Sequence, residues 1–571
     1  MRFIFLPILL LCSLPALCTP ADSIIIKGRI LNLSGRLYRQ APSITFSRNN
    51  ILQPQSELSR QAPLQADGTF RISLPMLFAK EEFYLDYGGR AATAFLGSPG
   101  TLEVTFDGDS LGKPSRLFIF SGVNADANNQ YFAYLTAENK LAQSTKPVPG
   151  SSAENPKATL GPQFFKYFWQ QDAQEAISAV ATRAKLKNMP LNDVANTGTL
   201  SPDLKQWIES LTADESLQLL YEHALSGRYD PSKNLLDSLQ RLRKAPLTSQ
   251  RVLWASRFGE YADYKVQEIK YTNPARTNSL PVKLMASLIR DYSPGLSPSD
   301  RSFLDEVNLK GVTEKTALDN LNKLFAKNET TLNLLFNYER EARIYGELFE
   351  GPGAEFLKAR YLARNLYKFS YRQQSLLNRH VQGRNAVPAF RESLDELVKL
   401  ELKDSADIRK MVEFRDVKTT PTEVLPDYYL TASRDRGTSW LNGILDQYKG
   451  RPVYISKWNL EDAKSRSEME FIPALQASVA EDAVFVFVHL AGEEYEVSEA
   501  LIRQYIVRHK LRGIHMILNA QQSMDLLFRL NPLDYATFAL VRRSGKFAEK
   551  NASPPSALEK TVSQINDAAR K

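Results

Sequence analysis

Two side chains three residues apart, Asp462 and Ser465, have the types and spacing that invite a chemical reading. A serine hydroxyl becomes a nucleophile only when a base takes its proton. The nearest histidines in the sequence are His489, His509 and His515, and their spacing marks none of them as that base. The same pair also has a structural reading, because Asp and Ser at the start of a helix accept its free N–H groups. Sulfur exchange needs a thiolate and a second sulfur to resolve the mixed disulfide. The chain's two cysteines, Cys12 and Cys18, both lie within the first eighteen residues. The five histidines are isolated, so no metal-ligand spacing occurs. Neither a P-loop nor a G-x-G-x-x-G pattern is present, and no cofactor is expected.

The elements that must position this pair lie in residues 450–550. The run 450–458 (Gly-Arg-Pro-Val-Tyr-Ile-Ser-Lys-Trp) precedes it, and Glu468-Met469-Glu470-Phe471-Ile472-Pro473-Ala474-Leu475 follows. Further apolar runs stand at 483–490, 513–518 and 537–541, the last leading into Arg543-Ser544-Gly545-Lys546. Short β-rich runs alternating with helix-period segments predict a mostly parallel sheet with helices on its faces.

This order resembles the thioredoxin-like proteins of the thiol–disulfide oxidoreductase and peroxiredoxin type found in bacterial envelopes. Tyr454, Ile455 and Trp458 match the family's first strand, and Glu468, Pro473 and Leu475 fall in or near its helix signature. The resemblance places the two cysteine positions of the family's C-x-x-C motif at Asp462 and Ser465. It places the position of the family's cis-proline at Ala536, whereas the nearest proline is Pro532. Trp458, Asp462, Ser465 and Ala536 are therefore read as a redox motif without sulfur. The resemblance implies a thioredoxin-like fold and argues against the family's usual chemistry.

Upstream, apolar–polar alternation at 24–30, 43–47, 66–74, 82–87, 92–96, 102–106 and 116–120 predicts an antiparallel β-sandwich of short strands. Asp67-Gly68-Thr69-Phe70, Ser98-Pro99-Gly100-Thr101 and Phe120-Ser121-Gly122 resemble the β-domain that precedes thioredoxin-like modules in secreted Bacteroidetes proteins. From Asn124 the period changes to that of helices, with a Ser/Pro/Gly-rich linker at 144–155. Helical segments, divided by prolines, then run to about residue 415. Their aromatic clusters at 164–169 and 361–371 read as helix–helix core. Arg340, Arg343, Arg360 and Arg364 read as surface ion-pair partners.

The length of 571 residues allows about three or four domains. Hydrophobic content of 43% and charged content of 24% are ordinary for globular protein. The net charge of +8 contains no long Lys/Arg run, so no nucleic-acid partner is expected. Residues 1–20 carry one positive charge, a short apolar core and then small residues, as an export signal does. A lipid anchor at Cys18 is the rival reading of that segment.

The expected architecture is multidomain α+β. It has a signal peptide (1–20), a β-sandwich (21–123), an all-α region (124–425) and a thioredoxin-like α/β domain (426–571). The expected role is an exported, redox-inactive protein of the periplasm or outer membrane that binds or scaffolds a peptide or protein partner in the envelope. Two alternatives stand beside it: an oxidoreductase relative or Ser465 hydrolase with non-standard chemistry, and a cell-surface protein working through its helices.

Overall fold

A computed structural model describes residues 23–111, 117–144, 160–161, 163–227, 230, 233–274, 280–312, 314–479, 482–491, 497–527, 530 and 536–570. The segment read as an export signal, with Cys12 and Cys18, most of the linker at 144–155, and Pro532 lie outside the described residues. The chain forms two compact units, one of residues 1–364 and 377–396, the other of residues 365–376 and 397–571. Sheets stand at both ends of the sequence and the middle is mostly helical.

In the first unit, two four-stranded sheets pack face to face. One has the order β4 (Thr69–Pro75), β1 (Ser23–Leu31), β7 (Gly100–Asp107), β8 (Ile119–Gly122). The other has the order β3 (Gln53–Pro63), β2 (Ser43–Asn50), β5 (Glu81–Tyr87), β6 (Ala91–Gly97). Alternation sets the inward faces: Ile24, Ile26 and Ile30 of β1 meet Phe46, Phe83 and Phe95 of the facing sheet in one core. The pairing is antiparallel except for β1 against β7, which runs parallel from Ile24↔Gly100 to Leu31↔Asp107. Period-two alternation is the same for both directions, so the sequence marks the strand but not its partner. The sequence also passes over β3. That strand contains Pro54 and Pro63 and few apolar residues, a composition tolerated because it lies at a sheet edge.

Helices complete this unit. Pro202–Gly227 and Ser249–Thr272 pack as neighbours and enclose a buried ion pair. Asp214 accepts hydrogen bonds from Arg251 Nε at 3.1 Å, Thr248 Oγ1 at 3.1 Å and Arg241 at 3.3 Å. Glu82 on β5 accepts from Trp207 Nε1 at 3.1 Å and Ser249 Oγ at 3.0 Å, joining the sandwich to both helices. Arg360 and Arg364 both donate to Asp263, a partner the sequence reading did not name, while Arg343 pairs with Glu347.

The second unit is built on a seven-stranded sheet. Its order is β15 (Phe547–Glu549), β14 (Thr537–Val541), β11 (Val453–Trp458), β12 (Val484–His489), β13 (Gly513–Ile517), β10 (Tyr428–Thr431), β9 (Thr422–Leu425). The central four, β11, β12, β13 and β10, are parallel, and β14, β15 and β9 are antiparallel additions at the edges. Every residue of β11 and β12 is buried, as expected of strands covered on both faces. One face carries the aromatics Tyr454, Trp458, Phe485 and Phe487; the other carries Val453, Ile455, Val484, Val486 and Val488.

The Asp214 site gives a test of the first unit. Asp214→Ala leaves Arg251 charged and buried without its counter-ion, and should destabilise by about 3–5 kcal/mol in urea unfolding. Glu306→Ala, which removes the exposed pair with Lys310, should cost less than about 1 kcal/mol.

Candidate functional site at the carboxyl ends of the central strands

β11 and β12 end together, in register at Trp458↔His489. Beyond β11 the chain turns through residues 459–462 into the helix Ala463–Met469. Asp462 is the N-cap of that helix, its carboxylate accepting the Ser465 N–H at 2.6 Å. Ser465 stands in the first turn with no exposed surface, and its hydroxyl oxygen accepts the Asn459 N–H at 3.1 Å. The Asn459 side chain accepts from Glu461 N–H at 2.7 Å and donates to the Leu490 carbonyl at 3.1 Å. Arg466 then donates to the Leu460 and Glu461 carbonyls at 2.9 and 2.8 Å. The polar groups of the turn are thus satisfied largely by its own side chains, as buried backbone requires.

His489 closes the other side. Its Nε2 accepts the Leu460 N–H at 3.1 Å, which leaves the ring proton on Nδ1. The ring packs edge-on against Trp458 at 4.9 Å, and Trp458 lies against Tyr505 at 5.3 Å. His489 Nδ1 and Trp458 Nε1 have no hydrogen-bond partner among the described residues. Burial pulls the His489 pKa down to about 3, so the ring is neutral near pH 7. A base that weak, already bonded to Leu460, does not activate a hydroxyl.

Trp458, Asp462 and Ser465 therefore meet at one end of the sheet. Ala536 arrives at the same end: it is buried and immediately precedes the pair Thr537↔Lys457. Residues 531–535 before it lie outside the described residues. The hydrolase alternative loses its warrant here, because among the described residues no His, Lys or carboxylate bonds the Ser465 hydroxyl.

The sequence reading did not name Asn459, and it weighed His489 only as a base for Ser465; both hold the turn. Their signal was a polar residue directly after β11 and another closing β12, two strands that are otherwise mostly apolar. It also passed over Gly108-Asp109-Ser110-Leu111-Gly112, which fits the G-x-S-x-G pattern of a nucleophile elbow. An elbow needs a strand–turn–helix, whereas Ser110 sits in a single 3-10 turn after β7 and donates to Asp107 at 3.0 Å.

No family model matches this chain and no curated protein matches it. Among solved structures it is similar to the solution structure of a protein assigned as a thiol-disulfide oxidoreductase from Bacteroides vulgatus. The match is 23% identical, covers 22% of this chain and 76% of that one, and has a TM-score of 0.18.

Two tests follow from the site. Asp462→Ala removes the cap and should cost about 1 kcal/mol of stability, whereas Asp462→Asn, which keeps an acceptor, should cost much less. The second concerns acid. His489 and His515 are both buried and held at about 3, below the unfolded value of 6.5. Between those values the unfolded chain binds more protons, so their contribution is complete above pH 6.5 and is lost as the pH falls towards 3. The urea midpoint should drop between about pH 7 and about pH 5, above the carboxylate range. A flat profile there contradicts buried neutral rings.

Proposed function

We propose that this is an exported protein of the bacterial envelope whose C-terminal unit is thioredoxin-like and binds a peptide or protein partner without thiol chemistry. The observation that carries the reading is the occupation of the helix entrance. Asp462 and Ser465 stand at the start of the helix after β11, and both are engaged in holding the turn. Four parallel strands with the antiparallel β14 and β15 at one edge support the thioredoxin-like assignment. Such a sheet keeps a surface for an extended chain after its sulfur is gone.

A second reading places the work in the helices. A concavity of about 540 Å³ in the first unit is lined by Glu339, Arg343, Glu347, Lys358 and Arg384 among others, a charged surface of the kind that suits a partner.

Dithiothreitol-driven insulin reduction tests the chemical half of the proposal: the purified chain should show no turnover above dithiothreitol alone. Photo-cross-linking in the native envelope separates the two surfaces. A cross-linker at Glu461 should capture a partner; capture from Lys358 alone would move the function to the helices.

A further inference from the structure

The opposite end of the second unit's sheet carries a cavity that the reading above does not use. It has a volume of about 830 Å³ and lies at the amino ends of β10, β11, β12 and β13, lined by residues at or near the starts of those strands and by Pro473, Gln476 and Ala477 of the helix Ile472–Ser478. Tyr448 and Phe485 supply apolar wall, and Arg451, Lys510 and Arg512 stand around it against one carboxylate among the described residues, Asp427. That volume falls in the range of small-molecule sites.

The cations are only partly engaged by the fold, Arg512 bonding also to the Tyr428 side chain. Arg512 reaches Asp427 only at 3.8 Å, with both side chains more than half exposed. Arg451 donates through Nε to the Asp482 carbonyl at 2.8 Å and lies over the Tyr448 ring at 6.0 Å. The Lys510 ammonium has no partner among the described residues.

Lys510 is also out of place by backbone rules. The helix Glu499–Arg508 ends in a Schellman motif: Lys510 N–H bonds the Val507 carbonyl at 3.1 Å and Leu511 N–H bonds the Ile506 carbonyl at 3.0 Å. That motif puts Lys510 at φ 51, the left-handed position where glycine is unstrained. A cation after a helix C-terminus also suits the macrodipole, but that benefit does not require a left-handed lysine. Strain held at the rim of a cavity points to a use for the side chain.

We infer that this cavity binds an organic anion carried on an apolar or aromatic body, the charge held by Lys510 and Arg512 and the body by Tyr448 and Phe485. The inference is independent of the peptide-binding reading, which concerns the other end of the sheet.

The test uses the full chain and two fluorescent probes, anilinonaphthalene sulfonate and its uncharged counterpart N-phenylnaphthylamine. The sulfonate should bind saturably and weaken with added salt. Lys510→Gln with Arg512→Gln should weaken it by about tenfold or more while leaving the uncharged probe unchanged. Lys510→Gly provides a variant that must fold, since it relieves the backbone, and it should also lose sulfonate affinity. Equal binding of both probes, equal losses for both, or sulfonate affinity unchanged in either variant would overturn the inference.

Discussion

The turn after β11 is held by one constraint: two fully buried strands end side by side, and the polar groups between them must be paired inside the protein. Asp462, Ser465, Asn459 and His489 answer that requirement in a single network. Each of these groups is engaged by the local backbone. The hydroxyl and carboxylate present are structural members.

The same rule shapes the first unit in another form. Asp214, Glu81 and Glu82 are carboxylates with almost no exposed surface. Asp214 is paired with Arg251, and Glu82 is bonded by Trp207 and Ser249. Glu81 faces Arg48 and accepts the Phe78 N–H at 2.8 Å; burial nonetheless pushes its pKa up. Asp214 and Arg251 join two helices, Glu81 and Arg48 two strands, and Glu82 joins the sheet to helices. The cost of breaking such a pair is large because the partner charge stays buried.

Much of the architecture was legible in the sequence. The strands at 453–458, 484–489, 513–517 and 537–541 coincide with the apolar runs, because central strands buried on both faces are mostly apolar, the exceptions here being buried polar residues such as Ser456, Lys457 and His489. Asp462 as a helix cap and Ser465 in the first turn were legible from residue type and spacing. Less was legible where local pattern does not set the outcome. The parallel pairing of β1 with β7 depends on partners far apart in sequence. The edge strand β3 hides behind its prolines. Pro202–Gly227 is one long helix whose polar residues Thr212 and Asp214 are buried. Asp214 reads as a surface residue until its arginine is seen. His489 likewise reads as an isolated histidine, since the group it bonds, the Leu460 N–H, carries no side-chain signature.

The central claim is that Asp462 and Ser465 stand three residues apart at the entrance of the helix after Trp458, the placement that the resemblance gives to the two thiols of an exchange motif. It is tested most directly by restoring the sulfur: Asp462→Cys together with Ser465→Cys, with the unaltered chain as control for Cys12 and Cys18. The account predicts that the folded double variant closes a reversible intrachain disulfide and gains dithiothreitol-driven insulin reduction. A folded variant whose two new thiols stay unpaired under oxidising conditions and give no turnover would contradict it.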